Sequence, residues 1–173
     1  MTSFCPRAPA ILLFTLVMWC VGATMPVQAV ESQVVDRAGK QPRVGVGANG
    51  SEYVVYGVGK TLKIRTSHDG GTTFAAAVDI GSLDGLMLGM RRGPQLAVGE
   101  GVLVVAGIGT AGDIMAWRSR DDGATWAGPA TINDQPKAAR EGLFSLAAGK
   151  KGTVWATWLD LRNGKTQLFA SQS

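Results

Sequence analysis

Beyond residue 40 the chain alternates short apolar runs with polar, glycine-bearing breaks, and no apolar set recurs at helical spacing. In the middle of the chain the runs are "PQLAVG", "VLVVAGI", "DIMAWRS" and "ATWAGPATI". Each has the length of a strand, and the unbroken run 102–108 suits a strand covered on both faces. The stretch before it follows the same order with "PRVGVG", "SEYVVYG", "LKIRT" and "TTFAAAVDI", and the stretch after it with "LFSLAAG", "TVWATWL" and "TQLFAS". Breaks such as "GEG" and "GTAG" are turn signals, so the pattern predicts antiparallel strands joined by short turns.

The order repeats because the chain does. "SHDGGTTF" at 67–74 returns as "SRDDGATW" at 119–126, 52 residues on, with similar lead-ins "LKIRTS" and "IMAWRS". A third lead-in, "LFASQS", ends at Ser173, 54 residues after Ser119. A period of this size belongs to propellers and other repeat arrays, and four antiparallel strands per period describe one blade. The expected fold is therefore all-β: a partial β-propeller of about three four-stranded antiparallel blades, at about 42–90, 91–139 and 140–173, the last incomplete. Closed propellers take ~4 to 8 blades, and six at this period would need about 310 residues. The chain thus reads as an incomplete propeller, a truncated or split product or a fragment, or one that closes by self-association through open blade edges.

The repeated turn has a structural use for each of its letters. An Asp side chain accepts bonds from the backbone of its own loop, Gly supplies a positive φ, and Ser and Thr hydroxyls satisfy further backbone groups. The aromatic residue is expected to re-enter the next strand and be buried between layers. Asp121 and Asp122 are neighbouring carboxylates, but adjacent turn residues rarely converge on one substrate. The pattern resembles the Asp-box, or BNR repeat, of sialidases and related six-bladed propellers. Ser119, Asp121, Gly123, Thr125 and Trp126 match it in full; Ser67, Asp69, Gly71 and Thr73 match with Phe74 in the aromatic place. The resemblance covers about residues 42–173 and implies that the box joins third and fourth strands on the blade periphery, away from a substrate pocket.

It also implies a chemistry to look for. Sialidases hold the substrate carboxylate with three arginines, whose forked guanidinium groups bind it at two points, and use a Tyr nucleophile helped by Glu, with an Asp as acid/base. Arg43, Arg92 and Arg140 each stand just ahead of a predicted first strand, and Asp160 and Arg162 in "GTVWATWLDLRNGK" fit an Asp-x-Arg hairpin of the family. Asn163-Gly164 predicts a tight two-residue turn there, leaving no loop to present the acid. The family's Tyr lies in a late blade; Tyr53 and Tyr56, mid-strand beside Val54 and Val55, read as packing residues. Trp117, Trp155 and Trp158 offer stacking faces for sugar but on apolar strands read as core. His68 reads as an exposed turn residue, with no second His or Cys for a metal and no Ser-His-Asp signature. No complete catalytic site is recognised, and no cofactor or metal is implied.

The first thirty residues carry Arg7, the apolar run "APAILLFTLVMWCVGA" and then "MPVQAVE", with Val27 and Ala29 placed for cleavage. This is the pattern of a signal-peptide helix over 1–29, and the run is short of the roughly 18 residues of a membrane span. A linker at 30–41 follows. Both cysteines, Cys5 and Cys20, fall in the signal, so a mature chain in a secreted or periplasmic setting relies on packing rather than disulfides. Without Arg7, 16 of the 17 basic side chains remain against 13 acidic ones, scattered without runs. That is not the clustered basic face of a nucleic-acid binder, and no membrane association is expected after cleavage. The composite expectation is an exported Asp-box propeller or fragment that binds a glycan or an extracytoplasmic protein. The alternative is the N-terminal part of a sialidase-like glycoside hydrolase of exo-α-sialidase type.

Overall fold

The computed structural model describes residues 32–173. The first sheet holds β1 (Lys40–Val46), β2 (Glu52–Val58), β3 (Thr61–Ser67) and β4 (Val78–Ser82) in chain order. The second holds β5 (Gln95–Gly99), β6 (Val102–Ile108), β7 (Ile114–Ser119) and β8 (Ala127–Thr131), and the third β9 (Phe144–Ala148), β10 (Val154–Asp160) and β11 (Gln167–Gln172). All neighbours are antiparallel. The three sheets belong to one unit, Val34–Ser173. The expected all-β architecture of partial propeller blades is what the described residues form, with a single 3-10 turn at Lys150–Gly152 between β9 and β10. The predicted signal-peptide helix and both cysteines lie outside the described residues.

The sheets stack through their first strands, β1 beside β5 and β5 beside β9. Two apolar seams fill the gaps. In one, Val55, Leu62, Ile64 and Ile80 of the first sheet meet Leu103, Val105 and Trp117 of the second. In the other, Ala97, Ala106, Ile108 and Ile114 meet Leu146, Val154, Ala156 and Trp158. The unbroken apolar runs explain the double role of the second strands: β2 and β6 are covered on both faces, as runs without polar alternation require. β8 is exposed along its whole length.

Three local expectations change. The fourth strands start later than predicted, at Val78 and Ala127, so Phe74 and Trp126 sit in the turn instead of in the strand. In the first sheet, Ala75 N donates to the Thr66 carbonyl (2.9 Å) and closes the loop before pairing resumes at Ile64 and Val78. In the second, the Trp126 indole N–H donates to the Gly123 carbonyl (3.0 Å), folding the ring back over the turn. Asn163-Gly164 does not make a two-residue turn: Asp160 pairs with Gln167, leaving a six-residue loop, 161–166. Its β-turn, Gly164 N to the Leu161 carbonyl (3.0 Å), is held open by contacts of Arg162 described below. Trp117 and Trp158 are core residues as expected, whereas Trp155 is 47% exposed because its face of β10 has no sheet packed on it.

Candidate functional site

Antiparallel order sorts the connections to two ends. One end carries the β2–β3, β6–β7 and β10–β11 loops and the crossovers from β4 to β5 and from β8 to β9; the other carries the remaining hairpins and both SxDxGxT turns.

The two turns have the same internal wiring. Ser67 Oγ donates to Asp69 Oδ1 (2.9 Å) and accepts from Gly71 N (3.0 Å), while Asp69 accepts from Thr73 N (2.8 Å) and Thr73 Oγ1 (2.7 Å). In the copy, Ser119 Oγ donates to Asp121 Oδ1 (2.7 Å) and accepts from Gly123 N (2.9 Å), and Asp121 accepts from Thr125 N (2.9 Å) and Thr125 Oγ1 (2.5 Å). Gly123 has φ of 89°, a conformation that favours glycine. These bonds hold both carboxyls down at about 2: for Asp69 the Thr73 backbone N–H contributes most, for Asp121 the Thr125 hydroxyl. Carboxylates satisfied by their own loop and kept ionised are poor proton donors, which fits a joint and not an acid/base pair.

Asp122 points elsewhere. It accepts a hydrogen bond from the hydroxyl of Tyr53 in the first sheet, and burial followed by this bond pushes the Tyr53 phenol up. His68 is 65% exposed at its side chain, with Nδ1 2.9 Å from Ser51 Oγ and Nε2 3.8 Å from Asp122 Oδ2. Ser51, His68, Asp122 and Tyr53 thus form a cluster that ties the first sheet to the second turn. Nothing local in the sequence signals it, because Tyr53 and Asp122 are 69 residues apart. Tyr53 and Tyr56 are buried, as predicted for packing residues.

Two of the predicted arginines, Arg92 and Arg140, lie in the crossovers, and the third, Arg43, lies within β1. Arg43 is exposed on β1. Arg92 Nε donates to the Glu141 carbonyl (2.8 Å), and Arg140 Nε to the Lys137 carbonyl (3.0 Å). The segments leading into successive first strands touch: a Cβ on Gly93 would stand 2.4 Å from Gln41 Cβ, and one on Gly142 2.9 Å from Arg92 Cδ. Arg92 and Arg140 are thus partly held by backbone carbonyls in the segments leading into β5 and β9, and Arg43 is exposed within β1, opposite Val55.

Asp160 and Arg162 are also brought together, but on each other. Asp160 is fully buried and accepts from Arg162 N (2.8 Å), Arg162 Nε (3.1 Å), Arg162 Nη2 (2.8 Å) and the Trp158 indole (3.1 Å). The Arg162 guanidinium beside it holds the carboxyl down at about 2. Arg162 also grips Asp134 with both terminal nitrogens (3.0 and 2.5 Å) and lies 3.9 Å over the Phe169 ring. With Asp160 first and Asp134 second, these carboxylates push the guanidinium up. Asp134 and Phe169 were not visible as partners in the sequence, since Asp134 is 28 residues from Arg162. Among the described residues, no group of three or more His, Cys, Asp or Glu is placed to hold a metal, and no helix is long and apolar enough to cross a membrane.

No model of a protein family matches the chain, and no curated protein matches it. Solved structures do. NanB sialidase from Streptococcus pneumoniae superposes with a TM-score of 0.52 at 19% identity, over 71% of this chain and 19% of its own. An ulvan lyase of polysaccharide lyase family PL25 superposes with a TM-score of 0.50 at 12% identity, over 78% of this chain and 41% of its own. The chain thus spans about a fifth of the sialidase and less than half of the lyase. At such identities the likeness concerns the fold: the three sheets have a sialidase-like, propeller-type arrangement.

Proposed function

We propose that this chain is an exported, Asp-box-type propeller segment that binds a carboxylate-bearing glycan without hydrolysing it. The observation that carries the reading is the placement of Arg43, Arg92 and Arg140 in or just ahead of successive first strands, which we read as a rim at the crossover end, opposite the two SxDxGxT turns. Guanidinium groups in or just ahead of successive first strands suit an acidic sugar, and the structural neighbours named above include a sialidase and a polysaccharide lyase. Residues 1–29 serve as export signal and 30–41 as linker to blades at about 42–90, 91–139 and 140–173, which places the protein in a secreted or periplasmic setting. Asp160 and Arg162, already saturated by each other and by Asp134, hold a loop in place, so Asp160 is not free to act as an acid. The alternative, an N-terminal part of an exo-α-sialidase-type hydrolase, is favoured by the same rim but needs a nucleophile from elsewhere. A fluorogenic sialoside assay on the purified chain tests the choice: no turnover is expected, and turnover abolished by Arg43→Ala would replace this reading with the alternative.

A further inference from the structure

The two gaps between sheets are filled differently. Between the first and second sheets, the Trp117 indole closes the outer part of the wedge, packed so closely on Gly81 that a Cβ there would stand 2.4 Å from Nε1. Trp117 pairs with Val105 across β6 and β7. The corresponding pair in the third sheet is Ser171 and Ala156, as the 54-residue spacing of Ser119 and Ser173 aligns them. A tryptophan and a valine have become a serine and an alanine, and the volume they vacate is not recovered. A cleft of about 500 Å³ opens between the second and third sheets, lined by Val104, Ala116, Leu146, Val154, Ala156 and Ser171. That volume lies within the range of small-ligand pockets.

Its charged side chains are of one sign. Arg118 and Arg120, both exposed, also line the cleft, and no Asp or Glu does. Neither guanidinium has a hydrogen-bond or ion-pair partner among the described residues. An apolar slot of the kind that takes an indole in the preceding gap, with two unneutralised guanidinium groups beside it, is complementary to one ligand chemistry: an aromatic ring carrying a carboxylate. The ring replaces the missing indole and gains by apolar burial, and the carboxylate accepts charge-assisted hydrogen bonds from Arg118 and Arg120.

We propose that the cleft between the second and third sheets binds small aromatic carboxylates, independently of the arginine rim at the crossover end. Indole-3-acetate and its neutral amide are the probes, titrated into the full chain by calorimetry. The acid is expected to bind about tenfold more tightly than the amide, about 1.4 kcal/mol, and Arg118→Ala/Arg120→Ala to remove that preference. Ser171→Trp fills the slot from within, so it should abolish binding of both probes and raise the melting temperature; Ala156→Val, a smaller filling, should weaken both and serves if Ser171→Trp does not fold. The proposal is overturned by no binding of the acid at millimolar concentration, by equal affinity for acid and amide, or by binding that survives in a folded filled variant. A dimer in light scattering that Ser171→Trp dissociates would also overturn it, since the cleft would then hold a second copy.

Discussion

The hydroxyl of Tyr53, on the second strand of the first sheet, donates its proton to the carboxylate of Asp122 in the turn of the second sheet. The doubled carboxylate of "SRDDGATW" is thereby divided between two tasks. Asp121 closes its own turn, and Asp122 fastens that turn to the neighbouring sheet. Removing the donor with Tyr53→Phe should lower stability by about 1 kcal/mol, the usual net worth of an intramolecular hydrogen bond. A double-mutant cycle with Asp122→Ala, read from urea midpoints, should recover most of that as coupling; purely additive effects would show that the contact does not join the sheets.

The turn carboxylates make stability pH-dependent with a definite sign. Asp69 and Asp121 sit at about 2 when folded and near 4 in an unfolded chain. The stabilisation is fully present above about pH 4 and is lost as pH falls through about 2. Urea midpoints should be level from neutral pH to about 5 and decline between about pH 4 and 2. The double variant Asp69→Asn/Asp121→Asn should begin with a lower midpoint at neutral pH and decline less steeply; an unchanged slope would remove these two groups as its source.

Gly81 is a glycine because of what stands over it. An added Cβ would meet the Trp117 ring at 2.4 to 2.9 Å, so Gly81→Ala should cost about 1–3 kcal/mol by overpacking. Trp117→Ala should cost about 3–5 kcal/mol as a large buried ring is lost. Combining the two should cost less than their sum, since the methyl then enters the space the indole leaves; strict additivity in denaturant unfolding would contradict this packing.

Arg162 is fixed by Asp160, Asp134 and Phe169, whereas Arg43 is an exposed residue on an edge strand. Arg162→Ala strands the fully buried Asp160 carboxylate and should lower the melting temperature well below that of wild type. Arg43→Ala should leave it nearly unchanged. Equal melting temperatures for the two variants would show that the Asp160–Arg162 pair does not hold the 161–166 loop.

The strands, their order and the repeated turn were legible in the sequence because they rest on local signals: period-two or unbroken apolar runs, glycine breaks, and side chains bonding within four residues of themselves. What escaped was set by tertiary packing. Trp155 and Trp158 look alike on one strand, yet only the face that meets the second sheet buries its ring. Asn163-Gly164 carries the letters of a tight turn, but the turn is widened because Arg162 is held by Asp134 in a crossover 28 residues away. Likewise the serine at 171 reveals a cleft only when its strand is paired and compared with the one bearing Trp117.

The rim headed by Arg43 is proposed to bind an acidic glycan. Its most direct test is a calorimetric titration of the purified chain with 3'-sialyllactose and, separately, with lactose, for wild type and Arg43→Ala. Expected are weak but saturable binding of the acidic sugar, a Kd on the order of 1 mM, at least tenfold preference over lactose, and loss of that preference in Arg43→Ala. Equal affinity for the two sugars, or a preference untouched by Arg43→Ala, would contradict it.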